Sequence, residues 1–113
     1  MANANRKKFL LVSGYSNVNG WTSKIMLINK VHTQNQVFIK FYADTDGKQL
    51  IMRYNVTLEP TEIRTIELNF DELKDHVGKM VLRSDGMLEG QAISFKGDAR
   101  FDLKLLNPDV KCC

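Results

Sequence analysis

At 113 residues the chain has the size of one domain, and 43% hydrophobic against 26% charged residues is an ordinary globular composition. A net charge of +3, with lysines and arginines spread along the chain, lacks the concentrated basic patch expected of a nucleic-acid binder, so nucleic acid is an unlikely partner on this reading. No apolar run approaches the ~18 residues of a membrane span, and Phe9-Leu10-Leu11-Val12 is too short for a signal-peptide core, so the expectation is a cytoplasmic protein without a membrane span.

In chain order, residues 1–7 form a basic N-terminal tail whose densest group continues through Arg6-Lys7-Lys8. Strands are expected over Lys8 to Tyr15 and Thr22 to Lys30, with the Asn- and Gly-rich Ser16 to Gly20 as the loop between. Gln36 to Tyr42 and Leu50 to Glu59 alternate apolar and polar residues with period two, which a helix would scatter around its circumference. Asp44-Thr45-Asp46-Gly47 lies between them, and an Asp-Gly flanked by alternating runs signals a hairpin because Gly accepts positive φ. The same residues echo the start of a calcium loop, but the later ligands are missing and the hairpin explains them.

Pro60 suits the boundary before a fifth strand, Glu62 to Asn69. Alternation breaks over residues 71–76, where one helical turn capped by Asn69 or Asp71 is expected. Lys79 to Ser84, Glu89 to Phe95 and Ala99 to Leu106 complete the strands, divided by Asp85-Gly86 and Lys96-Gly97-Asp98. About eight short strands with turn chemistry between them read as an all-β, antiparallel sandwich, Ig-like or jelly-roll-like, in one domain over 1–113. Residues 108–113 form a C-terminal tail ending in Cys112-Cys113. Adjacent terminal cysteines cannot staple the fold; a lipidation signal, a link between chains and an unselected tail all stay open.

Chemistry is sparse. His32 and His76 fall in loops without the nucleophile context that acyl transfer needs. The cysteines lack metal-ligand spacing, and no Gly-rich loop opens a helix to cradle phosphate. No catalytic residue, metal site or cofactor is therefore expected. Several strands carry apolar residues on both faces, and Met26, Ile28, Phe38, Tyr42 and Ile51 form the expected outward-facing interface, interleaved with Lys24, Lys30, Lys40 and Arg53. A small-ligand site is the alternative: Tyr15, Asn19 and Trp21 border the first loop, and aromatic faces beside amides suit carbohydrate.

The order of motifs has a likeness. Ser23-Lys24-Ile25-Met26-Leu27-Ile28-Asn29, a strand ending Phe41-Tyr42, an Asp-Gly turn and Val56-Thr57-Leu58-Glu59-Pro60 come first. Arg64-Thr65-Ile66-Glu67-Leu68-Asn69, Val81-Leu82-Arg83-Ser84-Asp85 and Gln91-Ala92-Ile93-Ser94-Phe95 follow. This order resembles the small β-sandwich family of the bacterial sensory rhodopsin transducer, across Thr22 to Asp102. The resemblance implies a homo-oligomeric, non-enzymatic adaptor that works by binding a protein partner in bacterial signalling.

Overall fold

The computed structural model describes residues 9–44 and 46–104. The basic Arg6-Lys7-Lys8 group, the 108–113 tail and the Cys112-Cys113 pair lie outside the described residues. Eight strands and one 3-10 turn are present: β1 (Phe9–Ser16), β2 (Thr22–Asn29), β3 (Asn35–Tyr42), β4 (Leu50–Leu58), β5 (Ile63–Glu67), β6 (Val77–Ser84), β7 (Leu88–Lys96) and β8 (Ala99–Lys104). They form two four-stranded antiparallel sheets, in the orders β1-β6-β3-β4 and β5-β2-β7-β8. All pairings among the described residues join strands within one sheet. The architecture is an open sandwich.

Only β3–β4 and β7–β8 are sequential neighbours in a sheet; the other connections pass from one sheet to the other. The pairs β2–β5 and β3–β6 match those central to an immunoglobulin sandwich. β1 and β7 have traded places relative to that plan, since β1 pairs β6 and β7 pairs β2.

Period-two alternation sets the inner faces. Ile25 and Leu27 of β2 meet Val37, Ile39 and Phe41 of β3 in the core, joined by Leu11, Leu58, Met80, Leu82 and Ala92. Tyr15 packs edge-on to Phe41 at 5.7 Å between ring centroids. The 3-10 turn, Asp71–Leu73, inserts Leu73 into this core. Neither expected residue caps it: Phe70 holds the N-cap position without a side-chain hydrogen bond. Its ring packs instead on Tyr54, at 5.0 Å.

The β3–β4 hairpin is as the Asp-Gly signal implies. Gly47 has a φ of 74°, and Asp44 Oδ1 accepts the N–H groups of Gly47 at 3.0 Å and Lys48 at 3.1 Å. β6 starts earlier than the alternation suggests, because the whole of Val77–Ser84 pairs with β1. A Cβ at Gly78 would collide with the backbone of Tyr42 and Asp44, so that glycine serves close strand approach and not a turn.

Candidate functional site

The two sheets expose very different outer faces. None of the strands β1, β6, β3 and β4 contains an Asp or Glu, while Lys40, Arg53, Lys79 and Arg83 all lie in them. The partner sheet carries Glu67, Glu89 and Asp102. There Lys24 pairs across the strands with Glu67, Lys30 approaches Glu89 at 4.0 Å, and Arg100 Nε meets Asp102 at 2.7 Å. On the second sheet acids stand among the cations, and Arg64 also meets Glu62 just before β5, at 2.6 Å. In the strands of the first there are none.

Register brings the cations of the first sheet together. Arg83 of β6 stands opposite Leu10 on one side and Phe38 on the other, and Phe38 stands opposite Asn55. One step along, Val81 lies beside Lys40, and Lys40 directly opposite Arg53. A like-charged pair directly across two strands costs stability. No ion pair offsets it among the described residues. Leu10, Phe38, Lys40, Tyr42, Arg53, Asn55, Val81 and Arg83 enclose an open hollow of about 540 Å³, within the ~300–1,000 Å³ typical of ligand sites. Phe38 is 38% exposed, an aromatic ring presented to solvent at the rim. Lys79 points elsewhere, its side chain lying over Gly47 of the hairpin turn.

The expected interface residues do not form one surface. Phe38 and Tyr42 belong to the outer face of β1-β6-β3-β4, but Met26 and Ile28 belong to the outer face of β5-β2-β7-β8. The core separates them. The reason is topological: β2 and β3 are sequential yet lie in opposite sheets, so equivalent outward positions point in opposite directions. Ile51 differs again, since it sits where the β3–β4 register slips by one residue and packs against the core.

The alternative ligand residues also part company. Tyr15 is 3% exposed and its hydroxyl donates to the carbonyl of Tyr42 at 2.9 Å, so it is a core residue and cannot meet a solvent-borne ligand. Burial pushes its pKa up to about 12. Asn19 is exposed, with a φ of 56° in the turn. Trp21 is half-buried and stacks on Phe101 at 5.3 Å and 29°, which occupies one of its faces.

No family model, curated protein or solved structure matches this chain. None of these comparisons bears on the resemblance to the sensory rhodopsin transducer family. Sequence reading names Phe38, Tyr42, Lys40 and Arg53 in the outward-facing group but misses Arg83, Asn55 and Leu10. Alternation around Leu82 puts Arg83 outward. Only the β6–β3 pairing puts it beside Phe38.

Proposed function

We propose that this protein is a non-enzymatic binding module whose working surface is the outer face of the β1-β6-β3-β4 sheet, and that its partner is a polyanion. The observation that carries this reading is the unneutralised Lys40–Arg53 cross-strand pair with Arg83 alongside, on a sheet whose strands hold no acidic residue. Such an arrangement works against stability unless an anion joins it. A second copy of the chain is a poor occupant, because a two-fold pairing of this face sets its cations against one another. The adaptor role expected from the resemblance is compatible with a polyanionic partner, for an acidic protein surface is one kind of polyanion.

Retention on immobilised heparin tests the proposal. The parent protein is expected to be held and to elute with salt. The double variant Arg53→Glu/Arg83→Glu should elute at much lower salt, with an unchanged circular dichroism spectrum. Lys74→Glu/Lys96→Glu makes the same change in net charge away from this face. If this control variant loses retention equally, net charge and not the face is responsible, and the proposal fails.

A further inference from the structure

We infer that the polyanion is a single-stranded nucleic acid, its bases stacked on Phe38 and Tyr42 and its phosphates held by Lys40, Arg53 and Arg83. This inference rests on the reading of the face as a polyanion site and names the partner's chemistry.

Cations alone would serve an acidic peptide or a sulfated glycan. The rings among them call for something more. Phe38 is flanked in register by Arg83 on one side and Asn55 on the other, and Lys40 lies between Phe38 and Tyr42 on the same face of β3. Positive charge and aromatic faces thus alternate, and single-stranded nucleic acid alternates phosphates and bases. Aromatic side chains on a basic sheet face are a recurring platform for unpaired bases, because every base offers a π-face. A duplex fits poorly, since its bases are already stacked on each other and hidden from Phe38.

A free mononucleotide also fits less well than a strand. Phe38 and Tyr42 are four residues apart on an extended strand, a separation of roughly 13 Å at about 3.3 Å per residue. One base cannot cover both rings. Phe38, Tyr42, Lys40, Arg53 and Arg83 all line the same hollow, with Val81 beside Lys40 at its floor in register. Guanidinium groups suit phosphate because they donate two parallel hydrogen bonds, and the Asn55 amide offers a donor and an acceptor to a base edge.

The test is fluorescence anisotropy with a labelled oligodeoxythymidine of about 12 nucleotides, within the ~4–16 covered by comparable sites. An abasic strand of the same length and a polyglutamate peptide run beside it. The oligonucleotide should bind with a log–log salt slope near −2, from three phosphate contacts at about −0.7 each on single strands. Phe38→Ala/Tyr42→Ala should weaken that binding about tenfold or more and leave the abasic strand unaffected. Phe38→Trp/Tyr42→Trp should retain it, which separates stacking from damage to the sheet. Equal binding of abasic and base-bearing strands, or indifference to both ring variants, overturns the nucleic-acid inference. Polyglutamate binding that depends on Arg53 and Arg83 would then leave the polyanion reading standing. Failure of every probe removes both.

Discussion

The hydroxyl of Tyr15 illustrates how a residue's role is decided by what covers it. Its 2.9 Å bond to the Tyr42 carbonyl satisfies the one polar atom of an otherwise apolar side chain in the core. With the folded pKa near 12 against 10.0 unfolded, the unfolded chain loses this proton first as pH rises. The protonated folded state therefore holds its full advantage below pH 10 and loses it progressively up to about 12. Tyr15→Phe should cost about 1 kcal/mol at neutral pH. It should also flatten the fall in urea-unfolding free energy across that alkaline window. An equally steep fall in the variant would contradict this account of Tyr15. Position beside a polar loop is, in the sequence, the signature of a residue available to a ligand. Nothing local in the sequence reports that β6 and β3 enclose Tyr15. Gly78 is the matching case, since nothing local in the sequence shows that the Tyr42 backbone lies against it.

At the level of elements, strand existence is legible and strand partnership is not. Alternation in Leu50–Leu58 and the Asp-Gly between β3 and β4 identify a hairpin without further information, because both signals are local. Period two separates the two faces of a strand but is silent on which sheet a strand joins. Met26 and Phe38 therefore read as one outward face in the sequence although the core divides them. The end of the sandwich where the β2–β3, β4–β5 and β6–β7 connections cross is held by buried amides. Asn29 Nδ2 donates to the carbonyls of Thr33 at 3.0 Å and Glu59 at 2.8 Å, and its Oδ1 accepts from Val31 N–H and Asn35 Nδ2, both at 3.2 Å. Asn35 in turn exchanges hydrogen bonds with Gly86 in the turn after β6. One asparagine pair thus ties three connections. Asn29→Ala strands several of these groups without partners, and should cost about 3 kcal/mol in chemical denaturation. A loss under about 1 kcal/mol would mean that water replaces the network at little cost.

For the whole molecule, the informative asymmetry is between its two outer surfaces. Spread along the chain, the basic residues argue against a basic patch. Folding gathers Lys40 from β3, Arg53 from β4 and Arg83 from β6 around one hollow, while the acidic strand residues fall in the other sheet. Counting charge by sequence position misses this because the gathering depends on β6 pairing with β3, three strands distant in the chain. The most direct test is a backbone amide NMR titration of the parent protein with the thymidine oligonucleotide, repeated at high salt. Shifts concentrated at Phe38, Lys40, Tyr42, Arg53, Asn55 and Arg83, and abolished by salt, are the expected result. Shifts centred instead on Met26, Ile28 and Ile63, or around Trp21 and Phe101, would contradict the assignment of the working surface.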